Sequence, residues 1–299
     1  MAPLNLILIG AGVMGCNYLR AAKARGIEIS GIIDTDLEKA RRAAAEYGCR
    51  VMTSAAPPPD AAVIAVPTAA HGATALPLLP AGVHCLVEKP LAGAESECRA
   101  LIDAAASNRR ILQVGHVERF NPAAEALLAR KIDPALITAL KARRMGPASA
   151  RVTDLSVVTD LMVHDLDLIL ALKQTAVGKV EARGSADHAE AILTFDDGAI
   201  ATLTASRVGS ARIRDLDVMA AGETYHLDYL AKSLLIAPGA TQDDADVGTV
   251  TYAGDALGAQ LAHFVACVQG HDRPRVDGGN ALDVLRLAWR IEAALGSAA

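Results

Sequence analysis

No stretch of this sequence holds the roughly 18 uninterrupted apolar residues of a membrane span, and Ala-rich segments such as Ala55–Ala81 are broken by Pro and Gly. A membrane partner is therefore not expected. A basic surplus is missing too. Lys and Arg total 29 against 34 Asp and Glu, for a net charge of −5. No basic cluster is long enough to track a phosphate backbone, so nucleic acid is not expected as a partner. The pairs Arg41-Arg42 and Arg143-Arg144 stand isolated and read as solvated ends of helices or strands. Cysteine is sparse: five residues, at 16, 49, 85, 98 and 267, with no C-x-x-C among them. These spacings suit neither a zinc site nor a disulfide framework, so no metal is expected. An odd count in a chain of this size reads as reduced thiols in a cytoplasmic protein. Cys16 lies near a helix start, where a thiol pKa can fall, but reads as a small packed residue. The opening MAPLNLILIGAG has no basic region ahead of its short apolar run. It reads as a strand entering a turn rather than as an export signal. There is no internal repeat and no low-complexity linker.

What is present is enough apolar material, 52% of 299 residues, for real cores in one large domain or two ordinary ones. Up to about residue 115, short apolar runs alternate with helical spacing. Leu4–Ile9, Ile27–Ile33, Ala61–Val66, Val83–Val87 and Ile111–Val114 are runs of the kind found in strands buried on both faces. Between them lie helical patterns at Val13–Arg25, Asp36–Tyr47, His71–Leu79 (cut by Pro77) and Ala94–Ser107. The alternation predicts an α/β fold with a doubly wound parallel sheet. The order then changes. A helix is expected over Pro122–Arg130 and another over Leu161–Leu172, with extended segments over Ile137–Arg144 and Ser149–Asp154. Strands follow from Val177 to Val250, with a hairpin signal at Asp197-Gly198, and helices over Leu257–Gln269 and Ala281–Ala294 close the chain. This order fits an α+β domain. The break near Gly115–Arg119 divides the chain into residues 1–118 and 119–299.

Gly10-Ala11-Gly12-Val13-Met14-Gly15 reads G-x-G-x-x-G between a buried strand and a helix, the context in which the motif has meaning. The first glycine permits the tight turn, the second admits a pyrophosphate, and the third lets helix and strand pack closely. Val13 and Met14 sit where free helix N–H groups can face phosphates. Asp34 follows 19 residues after Gly15, at the end of the second strand. A carboxylate there accepts from adenosine ribose hydroxyls and repels a 2′-phosphate, which favours NAD over NADP. Together these features predict a Rossmann domain.

Two further segments carry candidate chemistry. Glu88-Lys89-Pro90 follows the strand Val83–Val87, on the side where open α/β sheets bind ligands. Pro90 restricts the backbone at Lys89 and permits a cis bond. Taken alone, such a triplet at a strand end is more often ordinary surface than catalytic. In Asp160-Leu161-Met162-Val163-His164-Asp165-Leu166-Asp167, Asp160 and His164 stand four apart and would share a helix face. An Asp one turn from a His can orient the imidazole and stabilise its charged form. The alternative is a plain helix start, with Thr159 or Asp160 as the cap.

GAGVMG, Asp34, VPTAAH (66–71), EKP (88–90), GHVERFNPA (115–123) and DLMVHDLDL (160–168) occur in this order over nearly the whole chain. In this the sequence resembles the glucose–fructose oxidoreductase, inositol dehydrogenase and MocA family. The resemblance implies a second domain built on an open, mostly antiparallel sheet and used for oligomerisation, as a homodimer or homotetramer. It implies that Lys89 hydrogen-bonds the reacting hydroxyl and the nicotinamide ribose. His164 would be the general base, and Asp160 would hold His164 or the substrate. Pro67, Thr68, His71, Glu88 and His116 would line the cofactor, and Arg119 and Asn121 would border the substrate pocket. The implied reaction is NAD-dependent oxidation of a secondary alcohol of a small sugar or nucleotide sugar. Histidine, with an ordinary pKa of about 6.5, suits the base. GHVERFNPA, TDLMVHDLDL and HLDYL (226–230) are similar to the wording of UDP-N-acetylglucosamine 3-dehydrogenases, which oxidise the sugar 3-hydroxyl. Dehydrogenases of inositol or free monosaccharides, and a nucleotide-binding regulator without turnover, are the alternatives.

Overall fold

A run of apolar residues with no polar alternation can only be satisfied by cover on both faces. The segment LILI meets that condition in the computed structural model, which describes residues 4–147, 155–238 and 248–296. Leu6–Ile9 forms β1, buried at every position. The chain continues through α1 (Val13–Ala24), β2 (Gly31–Ile33), α2 (Leu37–Tyr47), β3 (Arg50–Val51), β4 (Ala61–Ile64), α3 (His71–Ala75), β5 (His84–Val87), α4 (Glu95–Ser107) and β6 (Leu112–Val114). All pairings in this sheet are parallel, in the order β3-β2-β1-β4-β5-β6. The order reverses at β1, where a doubly wound sheet opens its ligand crevice. Asp36 caps α2, accepting from the Glu38 and Lys39 N–H groups, and Gly48 ends the helix at φ +77°.

The second set of elements is α5 (Pro122–Ala129), β7 (Ile137–Met145), α6 (Val163–Lys173), β8 (Val177–Gly184), β9 (His188–Phe195), β10 (Ile200–Ser206), β11 (Ile213–Ala220), β12 (Glu223–Asp228), β13 (Ser233–Ala237) and β14 (Thr249–Thr251). Among the described residues these strands form one sheet, β14-β13-β12-β11-β7-β10-β9-β8, antiparallel except for β7 beside β10. Alternation along the strands turns Leu140, Ala142, Ala191, Leu193, Leu203, Leu216 and Val218 to a core shared with α6. The hairpin at Asp197-Gly198 is present, with Gly198 at φ +86°. The extended segment expected over 149–154 lies outside the described residues.

Two helices follow, α7 (Ala256–Val268) and α8 (Gly278–Gly296). The chain divides into two compact units: Met1–Val117 with Asp255–Leu282, and Glu118–Gly254 with Asp283–Ala299. The sequence expectation placed all of 119–299 in the second domain, whereas α7 joins the first. Its Leu261 and Phe264 are fully buried among Tyr18, Leu19 and Ala22 of α1. At about 25 cal/mol per Å² of apolar surface, two such side chains contribute on the order of 3–5 kcal/mol to that unit.

Candidate active site

In the first unit, the expected cofactor residues gather along one rim of the sheet. Asp34 ends β2, Gly10–Gly15 follows β1, Pro67, Thr68 and His71 follow β4, Glu88 and Lys89 follow β5, and His116 follows β6. Every one lies beyond the carboxyl end of its strand. The three glycines divide their work in space. Gly10 sits at φ +100°, and a Cβ there would lie 2.5 Å from the Ala65 carbonyl oxygen. A Cβ on Gly15 would lie 1.9 Å from the Gly10 oxygen. A Cβ on Gly12 would meet nothing within 4 Å, so it would project into open space at the start of α1. That helix has no side-chain cap and no acid in its first turn. Val13 is 75% exposed there. The loop therefore fits a pyrophosphate: the first turn of α1 carries no acid and no side-chain cap to take up its N–H groups. Asp34 accepts from Ala11 N–H at 2.6 Å and from Asp36 N–H at 2.7 Å, which fixes its carboxylate against the glycine loop. A carboxylate still has lone pairs for ribose hydroxyls after two such bonds. Cys16 is a packed thiol whose pKa burial pushes up.

The Glu88-Lys89-Pro90 segment is braced from behind. Glu88 is 8% exposed and accepts from the Tyr18 hydroxyl at 2.6 Å. Its other oxygen accepts from Lys89 N–H at 3.2 Å. The Gln260 side-chain amide in turn donates to the Tyr18 oxygen at 2.6 Å. Burial, then the Glu88 charge, push the Tyr18 pKa well up, so it stays a donor. A Cβ on Gly115 would stand 2.9 Å from Glu88 Oε1, so that glycine makes room for the carboxylate. The Lys89–Pro90 bond is cis. His71 is buried, with Nδ1 2.9 Å from the Pro90 oxygen and Nε2 3.0 Å from the Val66 oxygen. It ties the loop after β4 to the one after β5. Burial lowers its pKa against the opposing pull of those carbonyls.

In the second unit, Asp160 and His164 are both partly exposed at the start of α6. The helix departs from expectation there. Val158–Met162 is one wide π turn, and the α-helix begins only at Val163. Face-sharing at a spacing of four belongs to the α-helix, so the pattern alone does not align this pair. Neither Thr159 nor Asp160 caps the helix. The Ser156 hydroxyl accepts from Val158 and Thr159 N–H and donates to Glu292.

Behind His164 stands a buried ionic layer. Asp165 takes a two-pronged grip from Arg144, at 2.9 and 2.8 Å, and Arg144 reaches Glu118 at 2.9 Å. Arg144 is 2% exposed, so the expectation of a solvated strand end is overturned for it. Its neighbour Arg143 is partly exposed and pairs with Asp215. Burial alone would lower the Arg144 pKa, but the facing Asp165 and Glu118 carboxylates raise it overall. Arg119 forks onto buried Asp167 at 2.7 and 3.1 Å. Asn121 is buried, caps α5 by accepting from Ala123 N–H, and donates to Glu118 and to the Tyr229 oxygen. Arg119 and Asn121 thus have their polar groups committed within this layer. Tyr18, Gln260 and Arg144 are the residues that sequence reasoning missed.

Comparison with known proteins agrees with this geometry. A family model described as "Oxidoreductase family, NAD-binding Rossmann fold" matches residues 4–116. A UDP-N-acetylglucosamine 3-dehydrogenase from Acidithiobacillus ferrooxidans is 32% identical, over 97% of this chain and 98% of its own length. A solved structure of that dehydrogenase superposes with a TM-score of 0.92, covering 99% of each chain at 31% identity. Inositol 2-dehydrogenase 4 of Saccharopolyspora erythraea is 32% identical over 69% of this chain and 64% of its own length.

Proposed function

This chain belongs to the glucose–fructose oxidoreductase, inositol dehydrogenase and MocA family of NAD-binding oxidoreductases, and we propose that it oxidises the 3-hydroxyl of UDP-N-acetylglucosamine to a ketone. The observation that carries the choice of substrate is the end-to-end correspondence with a dehydrogenase of that name. The first unit, with α7, serves the dinucleotide, and the second serves substrate and oligomerisation.

Gly10, Gly12, Val13, Met14 and Gly15 hold the pyrophosphate on backbone N–H groups. Asp34 accepts from the adenosine ribose and excludes a 2′-phosphate, so the cofactor is NAD rather than NADP. Support for this comes from its fixed carboxylate and from a second acid, Asp36, two residues on. Pro67, Thr68, His71, Glu88 and His116 shape the walls. A bound nicotinamide would supply the hydride acceptor for the alcohol carbon. Lys89 donates a hydrogen bond to the alcohol oxygen and to the nicotinamide ribose. His164 takes the hydroxyl proton on a ring nitrogen as general base. Asp160 orients His164 or the sugar. Arg119 and Asn121 border the substrate pocket while holding Asp167 and Glu118. Homodimer or homotetramer formation would use the solvent face of the second sheet, where Ile192, Ile200 and Met219 are exposed. Among the described residues no helix is long and apolar enough to cross a membrane. Five free thiols fit a cytoplasmic setting.

The match to inositol 2-dehydrogenase 4 supports a second reading, oxidation of inositols or free monosaccharides by the same residues. NAD mixed with a panel of UDP-N-acetylglucosamine, its epimers, inositols and free sugars separates the two by NADH absorbance. NADH with the nucleotide sugar is the expected result. Turnover confined to polyols or free sugars moves the assignment to the second reading. NAD binding with no turnover at all would leave a substrate outside the panel, a tightly held cofactor or a regulator.

A further inference from the structure

Directly opposed residues of neighbouring strands stand on one face of a sheet. Across the second sheet one such row runs Gly184, Ala189, Ala205, Arg144, Arg214. Three small residues give way to two adjacent arginines, and these two are not equivalent. Arg144 is buried and held by Asp165 and Glu118. Arg214 is half-buried beside it and within electrostatic reach of the same carboxylates. Those carboxylates already bond to Arg144. No described residue gives the Arg214 guanidinium a hydrogen bond or an ion pair. Burial first, and then the like charge of Arg144, lower its pKa, with exposed Arg212 adding to the effect. Tyr229 follows β12, and its N–H donates to the Arg214 oxygen at 3.0 Å. Its buried hydroxyl has no hydrogen-bond partner among the described residues. This end of the row therefore holds a fork of guanidinium donors and a hydroxyl, each lacking an acceptor. Asp165 and Glu118 balance the two charges but give their hydrogen bonds to Arg144, so the Arg214 fork keeps its donors for a further anion. The layer is linked through one helix to the proposed base, because Asp165, which Arg144 grips, follows His164 in α6.

We propose that Arg214, assisted by Arg212, binds the diphosphate of a nucleoside-diphosphate sugar. A planar guanidinium matches two phosphate oxygens at once, which a lysine cannot do. Inositols and free sugars carry no such anion, so Arg214 distinguishes the two substrate classes. This inference rests on the nucleotide-sugar reading, but it can be tested apart from turnover. The probe is UDP, titrated calorimetrically into NAD-saturated wild type, Arg214→Ala and Arg214→Lys, with thermal melting as the check on folding. Saturating NAD keeps UDP out of the glycine-loop site. Wild type should bind UDP, and Arg214→Ala should weaken binding by about 10-fold or more, the scale of a lost charge-assisted hydrogen bond. Arg214→Lys should fall between the two. Equal UDP affinity in folded Arg214→Ala, or no UDP binding by wild type, would overturn the proposal. If UDP binds through Arg214 but UDP-N-acetylglucosamine yields no NADH, the anion site stands and only the identity of the oxidised sugar fails.

Discussion

The Tyr18 hydroxyl donates to Glu88 Oε1 at 2.6 Å, joining α1 to the residue immediately before Lys89. Neither group can turn to water, since Tyr18 is fully buried and Glu88 nearly so. Tyr18→Phe leaves Glu88 one donor short and should cost about 1–3 kcal/mol of stability. It should also depress turnover roughly 10-fold, because Lys89 loses its fixed backing. A thermal melt and steady-state kinetics read the two effects. Unchanged turnover in a folded variant would remove Tyr18 from any positioning role.

Lys89→Ala and His164→Ala should each bind NAD much as wild type does and lose about 100-fold or more in turnover, the scale of acid–base roles. Cofactor binding is read by fluorescence titration and turnover by NADH formation. Wild-type rates in either variant would end the mechanism proposed for that residue.

On the role proposed for Asp34, Asp34→Ala and Asp34→Ser remove the charge that would repel a 2′-phosphate, so both should narrow the proposed preference for NAD over NADP. Because Asp34 also accepts from Ala11 and Asp36 N–H, they should weaken NAD as well. The ratio of kcat/KM with the two cofactors is the measurement. A constant ratio would place ribose recognition elsewhere.

Arg144→Met takes one cation away from two buried carboxylates and should lower stability by about 3–5 kcal/mol. A denaturant melt measures it. A loss below about 1 kcal/mol, the range of an exposed ion pair, would contradict the burial described above.

Burial lowers the pKa of His84, and the Arg110 charge adds to that. Its Nδ1 accepts from Ile111 N–H at 2.9 Å, a bond that protonation destroys. In the unfolded chain an imidazole takes up its proton near pH 6.5, roughly. Below that pH the unfolded state binds more protons than the folded one. The stability from neutral His84 is therefore complete above about pH 6.5 and is lost as the pH falls toward the lowered folded value. His84→Asn keeps an acceptor that does not titrate, and should flatten the decline of Tm between about pH 7 and pH 5. A slope identical to wild type would show that His84 contributes nothing to it.

The dinucleotide half was legible because its information is local. LILI buries both faces of one strand, and Gly10, Gly12 and Gly15 lie within a single turn of chain. The ionic layer was not legible, because Arg144 meets Glu118 and Asp165 across 26 and 21 residues. A doublet of arginines at a strand end carries no sign of such partners. Gln260 reaches Tyr18 from 242 residues away. The π turn at Val158–Met162 escaped for another reason. Residue spacing registers apolar period, and one extra residue in a turn leaves that period almost unchanged over a helix of 11 residues.

The return of α7 to the first unit sets an order of events during synthesis. The first six strands leave the ribosome together, but Leu261 and Phe264, which complete the core over α1, are made only after all of Glu118–Gly254. At about 5–20 residues per second, that delay is on the order of 10 s. For that interval the nascent sheet shows water the apolar patch on α1 that α7 will later cover, and Tyr18 waits for the Gln260 amide. The half of the chain translated first therefore cannot complete its core until nearly the whole chain has been made.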